Sequence, residues 1–292
     1  MTTRRESRPK TVEPALQRLD LLADGRPSIG EASSLEWLET NGRGDFASST
    51  IFMGATRRYH GLLVARPSGL EKRHLFLARY EETLHRPNRS FALDAARYDG
   101  QWRAPGFGAL ESFSLVPYPS ARYRIGRTVV HRELQMVEGT TRVLCRYRVE
   151  SPRDDIELRI RPLLACREAD ALTRENLELD PRVERRTDGI ACRPYTSLPA
   201  LCFRLGGGTW SFEADPLWYR GIEYQEELLR GYDGPEDQFT PGWFALRVPR
   251  GGSIVVGVDI GHDAYDPVAA WDEATTARRK SARRAMGSPQ LR

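Results

Sequence analysis

Residues 37–65 read WLETNGRGDFASSTIFMGATRRYHGLLVA, in which a polar block, Thr56 to Gly61, runs without a break into an apolar strand. Side chains alternate between the two faces of a β-strand. Over residues 59–65 that places Tyr59, Gly61, Leu63 and Ala65 on one face and His60, Leu62 and Val64 on the other. His60 therefore shares a face with aliphatic neighbours, and two readings stand. It is a buried histidine satisfied by hydrogen bonds, or it joins Arg57, Arg58 and Tyr59 in a polar site at the strand mouth. The natural partner of such a site is a hydroxyl-rich ligand or an adjoining domain.

Working outward, short apolar or alternating runs broken by turn residues continue from residue 33 to about 258, the pattern of an all-β domain. Strands are expected at 35–39, 50–53, 59–65, 74–84, 91–97, 110–116, 121–125, 128–137, 141–149 and 156–164. A later group is expected at 189–192, 200–205, 209–214, 243–248 and 253–258. Between the groups, 168–188 is charged and reads as a long excursion. So many strands exceed one immunoglobulin-like sandwich and predict a large two-sheet antiparallel β-sandwich, a supersandwich. Nothing repeats at a fixed period, which argues against a propeller. The leader, 1–32, begins with a charged stretch expected to be disordered, followed by a short helix over 12–22. At the other end Asp266-Pro267 is a helix start, and 267–292 is expected to be a helical linker and tail with its cations toward the C-terminal end.

The 292 residues carry a formal charge of +4. Residues 1–10 contribute +3 and 267–292 contribute +4, which leaves −3 for residues 11–266. The body is mildly acidic, so a phosphate-tracking groove for nucleic acid is not expected. No apolar run reaches the roughly 20 residues that span a bilayer, and the first thirty residues lack a signal-type apolar block. A cytoplasmic location is expected. Cys145, Cys166, Cys192 and Cys202 lack C-x-x-C spacing and nearby histidines, so they read as free, small core residues rather than zinc ligands. No metal or nucleotide motif is present.

A second informative block, 218–244, reads WYRGIEYQEELLRGYDGPEDQFTPGWF and is rich in carboxylates and aromatics. Glycosidic hydrolysis needs two carboxyl groups, about 5–5.5 Å apart for retention or about 6.5–9.5 Å for inversion. Glu81-Glu82 and Glu226-Glu227 are adjacent pairs, and adjacent strand residues face opposite ways. Glu227 with Asp237 across a loop is the remaining carboxylate combination. In the plainer reading Glu227 and Arg230 pair locally on a solvated loop. Trp102, Trp218 and Trp243 either stack on glucose rings or belong to the core.

Three of these motifs, in order, resemble the N-terminal domain of the bacterial and archaeal type of glycogen debranching enzyme, an amylo-α-1,6-glucosidase. The first is Trp37-Leu38, Asn41 to Gly44 and Thr56 to Leu63. A weaker one is Arg161 to Arg167 followed by Asn176, and another is Tyr224, Glu227, Arg230-Gly231, Glu236-Asp237 and Pro241-Gly242. The chain departs from the family pattern at Asp45, where glycine is usual, and at Ala55, where asparagine is usual. The resemblance covers roughly 33–266 and implies a non-catalytic β-sandwich acting on α-glucan such as glycogen. In the family the catalytic carboxylates lie in an (α/α)6 barrel that follows the sandwich, and this sequence shows no series of helical hairpins. The resemblance thus implies no catalytic residue here and a partner barrel on a separate polypeptide. The residues implied in substrate binding or domain docking are Trp37, Asn41, Arg57, Arg58, Tyr59, His60, Tyr224, Glu227, Arg230 and Asp237. A stand-alone glucan-binding or regulatory module and an inactive fragment are the alternatives. The resemblance implies no cofactor.

Overall fold

A computed structural model describes residues 18–151, 156–261 and 263–287. In chain order the first strands are β1 (Arg18–Asp20), β2 (Glu36–Thr40), β3 (Phe46–Thr50), β4 (Gly61–Ala65), β5 (His74–Arg86) and β6 (Arg89–Ala92). They are followed by β7 (Ala96–Tyr98), β8 (Gln101–Arg103), β9 (Leu110–Ser114), β10 (Ser120–Ile125), β11 (Thr128–Met136), β12 (Arg142–Glu150) and β13 (Glu157–Glu168). The last are β14 (Val183–Arg186), β15 (Gly189–Cys192), β16 (Leu201–Gly206), β17 (Thr209–Glu223), β18 (Pro235–Arg247) and β19 (Ile254–Asp259). Helices are few: α1 (Ile29–Ala32), α2 (Gln225–Leu229) and α3 (Pro267–Gly287).

Two large antiparallel sheets result, as the alternating pattern predicts. The first runs β1-β9-β10-β11-β12-β19-β16-β15-β14, and the second runs β17-β18-β13-β5-β4-β3-β2 with β6 on β5. Their inner faces supply one core. On β12, Val143, Cys145 and Tyr147 point into it, while Leu144 points the other way, into a smaller cluster with Val255, Tyr118, Ala270 and Trp271. That second cluster seats α3 on the outer face of the first sheet. The Trp271 ring meets Tyr118 edge-on at 5.0 Å and lies 4.5 Å from the Arg146 guanidinium, and Arg278 pairs with Glu39. Asp266 caps the helix start by accepting from the Val268 N–H at 2.8 Å.

Inside the sandwich a buried polar bridge joins the sheets. Glu82 on β5 accepts from Arg132 of β11 and from the Tyr147 hydroxyl of β12, both at 2.6 Å. The four cysteines are free and buried. No helix among the described residues is long and apolar enough to cross a membrane.

Several boundaries differ from expectation. The strand expected at 50–53 lies earlier, at Phe46–Thr50, because it must pair with β2 (Glu36 opposite Thr50, Thr40 opposite Phe46). The strand expected over 59–65 begins only at Gly61: residues 57–59 form a tight turn in which the His60 N–H reaches the Arg57 carbonyl at 3.0 Å. The run at 91–97 divides between β6 and β7, and 209–214 extends through Glu223. Arg18–Asp20 is a strand and Leu21 and Leu22 begin a turn, rather than part of a helix over 12–22; residues 12–17 of that expected helix, and the first ten residues, lie outside the described residues, as do 288–292.

Candidate functional site

The TRRYH block is positioned by two neighbours. Gly61 opens β4 where a Cβ would stand 3.0 Å from Leu75 Cγ and 3.1 Å from the Leu77 carbonyl, so a side chain there would push β4 off β5. Ahead of it, the turn at 57–59 points its side chains away from the sheet in different directions, which a continuous strand would not do. Arg57 donates to Glu36 at 2.7 Å and lies 3.8 Å from Glu226. Arg58 turns the other way and meets Glu227 at 3.2 Å, with its Nη1 on the Asp170 carbonyl at 3.0 Å and its Nη2 on the Asp233 carbonyl at 3.5 Å.

His60 is buried, at 2 % exposure. Its Nδ1 accepts from the Thr56 N–H at 3.2 Å, which leaves the proton of the neutral ring on Nε2, 3.7 Å from Glu36. Burial is the largest influence on this ring and pushes its pKa down to about 4; the Arg57 charge adds to that and Glu36 opposes it. His60 is therefore buried and neutral, hydrogen-bonded through Nδ1, and it anchors the turn that presents Arg57 and Arg58.

The second block is not a loop throughout. It forms the end of β17, the helix α2 and most of β18. Tyr224 is fully buried, donates to Glu236 and accepts from Gln238 at 3.2 Å; burial and the Glu236 charge raise its pKa. Glu236 also binds Arg167, whose Nη2 reaches the Arg58 carbonyl at 2.7 Å, so the two sequence motifs are joined through a residue of the third, weaker one. Glu226 and Glu227 sit on α2, not on a strand, and diverge to Arg57 and Arg58 respectively. Glu227 thus pairs with Arg58 rather than with Arg230, which is exposed and has no side-chain partner among the described residues. Asp237 is held elsewhere, accepting from the backbone N–H groups of Gly221 at 2.9 Å and Glu175 at 3.0 Å. Glu227 and Asp237 belong to separate networks.

Two residues of the first motif fall outside this cluster. Trp37 is buried in the core with its indole N–H on the Thr50 carbonyl at 2.9 Å, so it is not available to stack on a ligand. Asn41 lies at the tip of the β2–β3 hairpin, about 16 Å along the strand from Glu36. Its side chain closes that tip by donating to Asp45 at 2.8 Å and to the Thr140 carbonyl at 2.6 Å. The three tryptophans offered for stacking are half-buried: Trp102 packs edge-on against Phe52 at 5.1 Å, Trp218 lies 5.6 Å from Phe239, and the Arg159 guanidinium covers Trp243 at 4.2 Å.

Arg58, Tyr59, Glu227 and Arg230 line a cleft of about 480 Å³ together with Phe46, Arg66, Glu71, Lys72, Arg73, Ala169 and Asp170. It lies beside a small apolar cluster of Val64, Leu75, Ala78 and Ala165, on which Phe46 and Ala169 pack. Sequence reading missed the 66–73 side of this wall. Those residues carry no motif and reach the cleft only because the β4–β5 connection folds over it. Among the described residues no group of three His, Cys, Asp or Glu side chains is placed to hold a metal ion.

Architecture and site together define a two-sheet β-sandwich with a polar, arginine-lined cleft on its second sheet. Residues 35–255 match the family described as glycogen debranching enzyme N terminal. The chain belongs to that family. A search of curated proteins found no match. Among solved structures, a bacterial glucoamylase complexed with acarbose is similar at a TM-score of 0.37 and 7 % identity, over 85 % of this chain and 33 % of that one. This chain spans a third of the length of that protein.

Proposed function

We propose that this domain is a non-catalytic part of an amylo-α-1,6-glucosidase-like system, positioning α-glucan and docking a separate catalytic (α/α)6 barrel in glycogen breakdown. The observation that carries this reading is the state of the carboxylates around the turn at 57–59. Glu227 is paired with Arg58, Glu236 with Arg167 and Glu36 with Arg57. A glycosidase needs one carboxyl group free to give a proton and a second free to attack or to activate water. Carboxylates held in guanidinium pairs are fixed hydrogen-bonding surfaces instead, suited to sugar hydroxyls or to a facing protein. The exposed Tyr59 ring and the unpaired Arg230 extend that surface into the cleft.

The test is a debranching assay on phosphorylase limit dextrin, run with this chain alone, with a barrel polypeptide alone and with both. The expected result is no glucose release from this chain alone and release well above that of the barrel when the two are mixed. Glucose release by this chain alone, or a mixture no better than the barrel, refutes the reading.

A further inference from the structure

The charge of the cleft is at odds with the acidic body around it. Five cationic side chains line it, Arg58, Arg66, Lys72, Arg73 and Arg230, against three acidic ones, Glu71, Asp170 and Glu227. Most of the acids are engaged: Glu227 by Arg58, and Asp170 by Lys72, which also binds Glu168 at 2.6 Å. Arg73 rests on the Gly44 carbonyl at 2.5 Å, which leaves its charge uncompensated. Arg66 and Arg230 are exposed and have no side-chain partner among the described residues. Against these three cations stands the exposed Glu71. The Arg66 backbone is pinned by its N–H on Asp45 at 2.9 Å, so one of the free guanidinium groups starts from a fixed point.

Neutral sugar hydroxyls do not call for free guanidinium groups. A phosphate does, because the planar fork of arginine matches its oxygens and the charge strengthens each bond. The cleft also offers what the rest of a sugar needs: the Tyr59 ring, 39 % exposed, and the Arg58–Glu227 pair. Its volume of about 480 Å³ lies within the range of small-molecule sites. We propose that this cleft binds a phosphorylated sugar, with Arg66 and Arg230 on the phosphate and Tyr59 against the sugar ring. The ligand is either a phosphate-bearing α-glucan or a free hexose phosphate. This rests on the reading of the cleft as a sugar-facing surface.

Calorimetric titration of the full chain tests it with glucose 1-phosphate, glucose, inorganic phosphate, and a maltooligosaccharide with and without a phosphate group. Each phosphorylated ligand is expected to bind roughly tenfold or more tightly than its neutral counterpart. Arg66→Ala and Arg230→Ala should each remove roughly tenfold of that preference, and Arg66→Ala should leave the neutral oligosaccharide unchanged. Both residues are exposed, so both variants should keep the wild-type thermal unfolding. Tyr59→Ala should weaken the sugars and leave inorganic phosphate unaffected. The tighter of the two phosphorylated ligands identifies the source.

Neutral and phosphorylated ligands binding equally overturns the inference and leaves the glucan reading standing. Inorganic phosphate binding as tightly as glucose 1-phosphate, with no effect of Tyr59→Ala, means an adventitious ion only and also overturns it. Binding of phosphorylated ligands alone upholds the inference and refutes positioning of neutral glucan. Failure of every saccharide to bind refutes both.

Discussion

Replacing Glu82 by leucine removes the carboxylate that bridges the two sheets. Glu82 is 1 % exposed, and its partners Arg132 and Tyr147 belong to the opposite sheet. Loss of the carboxylate strands a buried guanidinium, which costs about 3–5 kcal/mol, and leaves the Tyr147 hydroxyl without an acceptor, about 1 kcal/mol more. A loss of about 4–6 kcal/mol is a large share of the roughly 5–15 kcal/mol that holds a domain folded. In urea, with a slope of about 1–3 kcal/mol per molar, the midpoint should fall by more than about 1 M. The double change Glu82→Leu with Arg132→Met removes both charges and should recover most of that loss, because buried pairs are often replaceable by apolar side chains of similar volume. Equilibrium urea unfolding of the four-membered cycle reads both effects. A single variant within about 1 kcal/mol of wild type, or a double variant as unstable as the two singles combined, would show that the bridge is not the buried, mutually dependent pair described above.

Acid should act on His60 and Asp94 in opposite senses. His60 stays neutral to about pH 4 when folded, whereas an unfolded histidine takes a proton near 6.5, so its contribution, about 3 kcal/mol in full, is present above pH 6.5 and lost as pH falls toward 4. Burial raises Asp94 to about 6, the Arg79 charge opposing, so its contribution is present below about 3.8 and lost as pH rises through 6. Asp94→Asn should therefore steepen the loss of stability between pH 6 and 4; unfolding curves parallel to wild type across that window would contradict the assignment. Arg58→Ala leaves the buried Glu227 carboxylate without its guanidinium and should cost about 1–3 kcal/mol by thermal unfolding, with Glu227→Gln in the same background restoring part of it. Trp271→Ala empties the cluster beneath α3, for about 3–5 kcal/mol; limited proteolysis should then cut within 267–287 before the sheets, and an intact helix would count against the packing.

The fold was legible because alternation survives wherever one face of a strand is buried. Residues 121–125, 128–137 and 141–149 were placed to within a residue or two for that reason. Reading failed where backbone pairing overrides local pattern. Residues 51–53 are apolar and buried but form the turn after β3, whose register is set by β2. Residues 218–223 carry charges and a glycine, and nothing local says that they extend a strand paired with β18. At the site, Arg58, Tyr59, Glu227 and Arg230 come together in the cleft, while Trp37 and Asn41 proved to be a core residue and a hairpin closure. Pairing partners such as Glu36, Arg167 and Glu236 were not foreseeable as partners, since a sequence does not state which distant carboxylate a guanidinium will find.

The contacts of Arg58 span 112, 169 and 175 residues of chain. Chain closures of that length are made late, after shorter-range pairing has already reduced the freedom of the intervening segments. The cleft should accordingly be among the last features to appear as the domain folds. Any molecule that occupies it selects the finished domain alone, and so doubles as a reporter of completed folding, raising the melting temperature in proportion to the logarithm of its concentration.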